Sequence, residues 1–273
     1  MRGIARALFE LFSKIWIEVK NVYLGFIKSR RKHKIRVFRD KSYFFCSFGD
    51  LLKMLYCNSH LVRFNKGFEF ETLEHYVSLI ENGDVILDIG ANIGLFSIIG
   101  SEIVGDTGKI YAFEPSPKTF AALNENLTLN NCNNVVSSTL ALSNSNGRAD
   151  LIFPEEGRVN HEQGDLFTHL SYSEEGMGND LSGNVQTCTI DSFMETHGVS
   201  RIDLIKIDIE GAEKLCFEGA RELFSSENKP IIIFELFEPF CARFGTTSFQ
   251  VLKYLDQFGY ELSPLGNYQW IAK

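Results

Sequence analysis

The pattern of apolar and polar residues beyond about residue 80 is one of alternating strands and helices. Short apolar runs rich in β-branched and aromatic residues alternate with segments of helical periodicity, which is typical of a doubly wound sheet. The predicted strands are 85–89, 109–113, 134–138, 203–207, 230–235, 259–263 and 268–272. The predicted helices run from the 90–94 turn to about 104 and over about 116–129, 211–224 and 247–257. This order predicts an α/β fold with a Rossmann-like seven-stranded sheet, helices on both faces, and a ligand site at the carboxyl ends of the strands.

Residues 1–36 show a different pattern, the spacing of one apolar helical face. Apolar residues recur every three or four positions from Ile4 to Phe26, and a basic cluster follows at 28–34. Charged residues interrupt the run, so we do not expect it to span a membrane. We expect a basic amphipathic helical arm, which suits either peripheral contact with anionic lipid or packing on a protein surface.

Two further segments complete the expected domain organisation. Residues 37–80 are expected to form a helical or irregular lead-in to a single domain over 81–273. Within that domain, residues 154–184 are polar and glycine-rich, and they are too numerous for an ordinary connection. They therefore predict a lid-like insertion.

Charge and cysteine content narrow the classes of partner. The 273 residues include 27 Lys+Arg and 35 Asp+Glu, which gives a formal net charge of −8 although the arm itself is strongly basic. Because an acidic body repels phosphate backbones, we expect no nucleic-acid partner. The six cysteines form no C-x-x-C pair, which favours a cytoplasmic protein, at most peripheral at the inner face of a membrane, over a disulfide framework or zinc site.

A candidate nucleotide site follows the first predicted strand. Asp88 lies at the end of that strand, and Gly90 and Gly94 lie in the next turn, where a ligand can approach the backbone closely. Glu114 closes the second strand, where a carboxylate can accept hydrogen bonds from both ribose hydroxyls. A dinucleotide site would need a G-x-G-x-x-G turn for its pyrophosphate. Because an acid repels phosphate and attracts an ammonium group, this pattern favours S-adenosyl-L-methionine over NAD.

A second cluster of charged residues follows the fourth predicted strand. Strand alternation puts Lys206 and Asp208 on the same face, at the carboxyl end of that strand. Glu210 and Glu213 follow shortly after, a density of acids that costs electrostatic free energy unless a cation, a proton or a substrate offsets it. Glu213 is also explained by the helix macrodipole. Glu235 ends the fifth strand and is expected to enter the same cleft.

These motifs resemble those of the FkbM-type S-adenosyl-L-methionine-dependent methyltransferases. The resemblance covers roughly 68–240 and rests on VILDIGANIGLFS (85–97), AFEPSP (112–117), ALSNSNG (141–147), TIDSF (189–193) and IDLIKIDIEGAE (202–213). It implies a class I methyltransferase sheet and O-methylation of a hydroxyl on a sugar, glycolipid or related polyol or polyketide. The acceptor is then a small molecule or a glycan.

The resemblance also implies which residues bind the cofactor. The implied set is Glu71, Asp88, Gly90, Ala91, Asn92, Gly94, Glu114, Pro115 and Ser143. The turn after the first strand would contact the methionine part, Glu114 the ribose, and the segment around Ser143 the adenine. Glu71 sits where the family often has an acid near the cofactor.

The expected catalytic residues are Asp208, Lys206, Glu210 and Glu235. Methyl transfer to a hydroxyl needs in-line approach and removal of the hydroxyl proton. Asp208 is expected to be the base or to orient the acceptor, with Lys206 tuning its charge and Glu210 or Glu235 binding substrate hydroxyls. We expect no resident metal, although Mg²⁺ held by the three acids is an open alternative.

Two functions from other classes also stay open at this point. A nicotinamide-dependent oxidoreductase is disfavoured by the missing third glycine of the dinucleotide motif. A non-catalytic adaptor, docked to a membrane or a partner through the arm, would bind the cofactor weakly or not at all.

Overall fold

The structure is a computed structural model, and it describes residues 33–38, 41–45, 68–152, 169–171, 182–266 and 268–273. The chain divides into two compact units, residues 1–53 and 54–273. In the first unit, β1 (His33–Phe38) pairs antiparallel with β2 (Lys41–Phe45).

The arm prediction is corrected at its end. Residues 33–36, predicted to belong to the helical arm, lie in strand β1, and polar and apolar residues alternate over 34–37 with the period of a strand. The amphipathic helix predicted between Ile4 and Phe26 lies outside the described residues.

The second unit contains the remaining elements. Its strands are β3 (Val85–Ile89), β4 (Lys109–Phe113), β5 (Val135–Ser138), β6 (Ala141–Leu142), β7 (Gly147–Ile152), β8 (His169–Ser171), β9 (Ser182–Cys188), β10 (Leu204–Ile207), β11 (Ile231–Glu235), β12 (Leu262–Pro264) and β13 (Gln269–Ala272). Its described helices are α1 (Phe68–Leu79), α2 (Leu95–Val104), α3 (Pro117–Leu129), α4 (Ile190–His197), α5 (Glu213–Glu218), α6 (Arg221–Ser225), α7 (Glu238–Arg243) and α8 (Ser248–Asp256).

Seven strands form the main sheet, in the order β12-β13-β11-β10-β3-β4-β5. Strands β11, β10, β3, β4 and β5 are parallel, whereas β13 runs antiparallel to both of its neighbours. The chain passes outward from β3 in one direction through β4 and β5, and later in the other direction through β10 and β11. The order therefore reverses between β3 and β10, which is the switch point where ligands bind in such sheets. The predicted seven-stranded α/β fold is confirmed.

The core lies on both faces of this sheet because successive side chains of each strand point in opposite directions. Leu87 and Ile205 face one side, in a buried cluster with aromatic residues of α4, α5 and α6 such as Phe193. Asp88 and Lys206 are register partners on neighbouring strands and face the other side, against α2. Helices thus cover both faces, as predicted.

One predicted helix is wrong in its extent. The segment predicted as a single helix over about 211–224 forms α5 and α6, which Gly219 and Ala220 separate. At the break, Gly219 packs so closely on the backbone of Ser143 that an added Cβ would lie 2.0 Å from its carbonyl oxygen. The apolar periodicity continues through the break, which is why the sequence predicts one helix.

A second sheet of four strands is absent from the sequence-based pattern. Its order is β6-β9-β7-β8, with β6 parallel to β9 and the other pairs antiparallel. Strand β8 and the first residues of β9 fall within the predicted insertion at 154–184, while residues 153–168 and 172–181 lie outside the described part of the chain. The lid-like role of that segment stays a prediction.

The loops that follow β3 and β10 touch each other at the switch point. The backbone N–H of Asp208 donates to the carbonyl of Ile89 at 3.0 Å. Gly90 has φ +76°, and a Cβ added there would lie 2.0 Å from the carbonyl oxygen of Asp208. Any larger residue at position 90 would therefore push the two loops apart.

We expect Gly90→Ala to lower the free energy of unfolding by about 3 kcal/mol or more, because left-handed strain and overpacking add. Gly198→Ala is the matched control, since Gly198 has a similar φ of +64° but nothing within 4 Å of an added Cβ. The control should lose only about 1 kcal/mol. Urea denaturation measures both, and equal losses would contradict the contact between the loops.

Candidate active site

Charged residues and a glycine loop meet at the carboxyl edge of the main sheet. Read across β11, β10, β3 and β4, this edge carries Glu235, Asp208, Gly90 and Glu114 in that order. The strands are parallel, so their carboxyl ends lie at one edge of the sheet. The structure therefore brings together residues that are far apart in the sequence.

The loop between β3 and α2 is fixed by backbone hydrogen bonds. The N–H groups of Gly90 and Ala91 both donate to the carbonyl of Phe113, at 3.0 and 2.9 Å. Asn92 and Gly94 have positive φ values, +49° and +94°, so the chain bends sharply before α2 begins. These bonds hold the loop against the end of β4.

Glu114 is the acid that joins this loop to β4. It is 8% exposed, and its two oxygens accept hydrogen bonds from the backbone N–H groups of Asn92 and Ser116, each at 3.0 Å. Burial raises the pKa of Glu114 to about 7, although both backbone donors lower it. Ser116 is the N-cap of α3, but its side chain makes no capping hydrogen bond.

Asp88 of β3, Lys206 of β10 and Asp208 just after β10 form a line of charges, of which the first two are buried and Asp208 is half-buried. Asp88 is 0% exposed and its Oδ2 accepts a hydrogen bond from Ser97 Oγ at 2.5 Å. Lys206 is 6% exposed and its Nζ lies 3.6 Å from Asp208 Oδ2. Burial raises the pKa of Asp88, while Lys206 and Ser97 lower it. The predicted placement of Lys206 beside Asp208 is confirmed.

The side chain of Asp88 is fully buried. Its side chain presents no surface to a ligand, and its Oδ1 has no hydrogen-bond partner among the described residues. The direct contact with a cofactor that the resemblance implies for Asp88 stays a prediction. In the structure, Asp88 faces Lys206, whose charge it partly balances.

An aromatic layer covers Lys206 on the side away from the sheet. The Nζ of Lys206 lies 4.7 Å from the ring centroid of Phe96, a distance at which a cation is attracted to a ring face. Tyr76 of α1 packs edge-on against Phe96 and is 0% exposed. Because neither aromatic residue carries a charge, the charged motifs of the sequence do not single them out.

Three acids lie close together after β10, two in the loop and Glu213 at the start of α5. Glu213 is 2% exposed, and its Oε1 accepts hydrogen bonds from the N–H groups of Ile209 and Gly211 at 3.1 and 3.3 Å. Burial raises the pKa of Glu213 to about 7 despite these donors. Glu213 thus fixes the loop from within, beyond the helix-end role predicted for it.

Glu210 is held in an unusual environment in the same loop. It has φ +58°, and its Oε2 has no hydrogen-bond partner among the described residues. Burial and the neighbouring Asp208 and Glu213 together raise the pKa of Glu210 to about 9, although Arg243 and Lys206 lower it. This shift favours the protonated form of Glu210, which can donate a hydrogen bond.

The other predicted site residues lie around this edge with differing exposure. Glu235 is half-buried at the end of β11, and Pro115 is half-buried after Glu114. Ser143 is 1% exposed and its N–H donates to the carbonyl of Cys188 in the second sheet. Glu71 lies in α1, and its side chain is outside the described part.

The predicted alternative of a metal site has no ready ligand set in this part of the chain. Among the described His, Cys, Asp and Glu side chains, no group of three is arranged to hold a metal ion.

In the described part of the chain, no helix is both long and apolar enough to cross a bilayer.

Comparison with known proteins identifies similar sequences. The family model described as "Methyltransferase FkbM domain" matches residues 88–262. The chain is 29% identical over 54% of its length to Methyltransferase sdnD of Sordaria araneosa, and 30% identical over 56% to Hexuronic acid methyltransferase AglP of Haloferax volcanii. It is 29% identical over 54% to 2-O-methyltransferase NoeI of Sinorhizobium fredii. The matches span 64%, 56% and 61% of these relatives, less than two thirds of their length.

Among solved structures, one similar chain is a putative rRNA methylase from Clostridium thermocellum. It has 11% sequence identity and a TM-score of 0.43, and the match covers 75% of this chain and 92% of that one.

The raised pKa of Glu213 predicts a pH-dependent stability. Because this pKa is raised from 4.5 to about 7, the folded chain binds the proton more tightly than the unfolded chain does. The resulting stabilisation is fully present below about pH 4.5 and is lost as the pH rises through about 7. Glu213→Gln keeps an accepting oxygen and has no proton to lose. We expect it to flatten the fall in the free energy of unfolding between about pH 5 and about pH 8.

Urea denaturation across this pH range measures the effect. Glu238→Gln is the control, because Glu238 is exposed and the hydrogen bonds from Ser248 lower its pKa, so its proton-linked contribution falls in the acid range. A slope that Glu213→Gln leaves unchanged would show that this carboxyl ionises as freely in the folded chain as in the unfolded one.

Proposed function

Since the chain belongs to the FkbM methyltransferase family, we propose that it transfers a methyl group from S-adenosyl-L-methionine to a hydroxyl oxygen of a sugar, glycolipid or related polyol or polyketide. The observation that carries this proposal is the hydrogen bond from Asn92 N–H to Glu114 Oε2, which joins the glycine loop to the acid that ends the next strand. The relatives described as hexuronic acid and 2-O-methyltransferases support a sugar hydroxyl as the acceptor.

The residues at the β3 and β4 ends fit the chemistry of this cofactor. Each oxygen of Glu114 accepts one backbone hydrogen bond, so each keeps a lone pair for a ribose hydroxyl. An added Cβ would lie 2.0 Å from the carbonyl oxygen of Asp208 at Gly90 and 2.7 Å from the side chain of Leu123 at Gly94, so these two glycines let the loop pack closely at the sheet edge. Acids outnumber cations here, which suits a cationic, phosphate-free nucleoside and disfavours a dinucleotide. We assign Ala91, Asn92, Pro115 and Ser143 to the same cofactor site on the basis of the family resemblance.

The acids at the β10 and β11 ends fit a polyol acceptor. Hydroxyl groups donate hydrogen bonds, and carboxylates accept them strongly. Asp208 lies between the cofactor side and Glu235 in the order of the strands, so it is the residue assigned to the reacting hydroxyl. Glu210, whose raised pKa favours its protonated form, would donate a hydrogen bond to an acceptor oxygen.

The chain's own contribution to the reaction is mainly positioning and proton handling. When bound, S-adenosyl-L-methionine supplies an electrophilic methyl group. Asp208 would orient the acceptor hydroxyl and receive its proton on a carboxylate oxygen. Lys206, held by Asp88 and Phe96, would keep the Asp208 carboxylate in place. We therefore treat Lys206 and Asp88 as positioning residues.

The role of residues 1–36 is a separate part of the proposal. The basic cluster at 28–34 suits peripheral contact with anionic lipid at the inner face of a membrane, and a protein surface is the alternative partner. The proposed site at the edge of the main sheet does not depend on either.

We expect Asp208→Asn to reduce turnover by about 100-fold or more, which is the usual effect of losing a general base, with the dissociation constant for S-adenosyl-L-methionine within about twofold. Turnover is measured as labelled methyl transfer to an extract of glycans and lipids, and binding by calorimetry. Asp203→Asn is the matched control, because Asp203 precedes the same strand at its opposite end and pairs with Arg201. Unchanged turnover in Asp208→Asn would remove this residue from the mechanism.

We expect Glu114→Gln to weaken S-adenosyl-L-methionine binding by about tenfold or more, because one or more charge-assisted hydrogen bonds are lost. In the wild-type chain, affinity should fall as the pH drops below about 7, where Glu114 gains a proton, and the variant should lack this dependence. Calorimetry with NAD serves as the control ligand. Tighter binding of NAD than of S-adenosyl-L-methionine would favour the oxidoreductase, and binding of neither would favour the adaptor.

A further inference from the structure

Three aromatic residues form a cluster beside the acids of the candidate site. We use the name aromatic cluster for Phe237, Phe240 and Tyr268. The ring of Phe237 packs edge-on against both others, with centroids 4.8 Å from Phe240 and 4.9 Å from Tyr268. Tyr268 is 41% exposed, although large aromatic residues are usually well buried. The cluster therefore offers an aromatic surface to solvent.

The topology of the sheet puts this cluster at the same edge as the acids. Phe237 follows the carboxyl end of β11, two residues after Glu235. Strand β13 runs antiparallel to β11, and Glu235 pairs with Gln269, the first residue of β13. Tyr268, which precedes Gln269, is thus at the carboxyl edge, and its carbonyl accepts a hydrogen bond from Leu236 N–H at 2.7 Å.

The cluster also touches the loop that carries Asp208 and Glu210, which we call the acid loop. A Cβ added at Gly211 would lie 2.2 Å from the carbonyl oxygen of Phe240, so the start of α7 packs directly on this loop. Arg243, also in α7, lies over the ring of Phe240 at 4.5 Å and holds that ring in place. The aromatic cluster and the acid loop are therefore in direct contact.

This combination of groups suits one chemical class of ligand. A pyranose ring has a rim of hydroxyls and faces of C–H bonds, so it needs hydrogen-bond acceptors at its edge and an apolar aromatic surface under its face. Carboxylates supply the first, and aromatic rings, which carry negative charge on their faces, supply the second. An acyclic polyol offers the same hydroxyls but no fixed apolar face.

We propose that the aromatic cluster is the acceptor subsite and that Tyr268 stacks on the C–H face of a pyranose ring while the neighbouring acids bind its hydroxyls. The inference rests on the proposed function, because it names the acceptor class of the same site. It assigns the cofactor to the β3 and β4 ends and the acceptor to the β11 and β13 ends, with Asp208 between them.

Saturation-transfer NMR on the full chain tests the subsite directly. The probe is methyl β-D-glucopyranoside, whose axial C–H bonds lie on both ring faces, and sorbitol is the acyclic control. We expect transfer to the ring C–H protons of the glycoside to exceed that to sorbitol. Tyr268→Ala should weaken glycoside binding by about fivefold, the value of one aromatic contact, while Tyr268→Phe should keep it within about twofold.

The controls separate the subsite from general exposure and from the proposed function. Phe249→Ala removes an aromatic side chain that is 71% exposed in α8 and should leave transfer unchanged. Equal transfer from wild type and Tyr268→Ala, or no transfer from wild type, overturns the inference even if calorimetry on the same samples shows S-adenosyl-L-methionine binding. Loss of transfer confined to Tyr268→Ala supports it. Glycoside binding through Tyr268 without any cofactor binding would overturn the proposed function alone.

Discussion

Lys206 is the buried cation around which the acids of the carboxyl edge are arranged. Its ammonium group lies 3.6 Å from Asp208 and lowers the pKa values of Asp88, Glu114 and Glu210. Burying several carboxyl groups costs free energy that one cation cannot fully offset, and the raised pKa values of these acids express the remainder. The backbone donors to Glu114 and the ring of Phe96 then hold this arrangement in place. Without Lys206, the carboxyl groups on both loops would lose the positive charge that partly offsets the cost of their burial.

Much of this edge is predictable because it depends on strand alternation and on the ends of strands. Strand alternation places Lys206 beside Asp208, and the end of an apolar run places Glu114 at the end of its strand. Neither placement needs tertiary contacts. The burial of Asp88 and the fixing of the acid loop by Glu213 depend on how the loops after β3 and β10 cross. The aromatic cluster depends on the reversed direction of β13, which periodicity cannot reveal. The second sheet has short strands separated by long polar stretches, and these produce no clear pattern.

The site also contains buried acids that reduce the stability of the fold at neutral pH. Glu213 and Glu210 are held where burial makes ionisation unfavourable, although Glu213 also fixes the loop through two backbone hydrogen bonds. Buried acids with raised pKa values are common in sites that bind or move protons. The raised pKa of Glu210 favours a proton donor beside the accepting oxygens of Asp208, so the cleft has one donor and one acceptor within a few residues. That pairing suits an acceptor whose oxygens both donate and accept hydrogen bonds.

The single antiparallel strand of the sheet has a consequence for how the protein can diverge. At the four parallel strands of the site, the residues that reach the cleft come from the loops after the strands, which also connect to the packed helices. At β13 they come from the segment before the strand, next to a solvent-exposed turn. Insertions and substitutions in that segment can accumulate without disturbing the helices or the cofactor loops. Relatives with one shared chemistry can therefore acquire different acceptors through a short stretch of sequence.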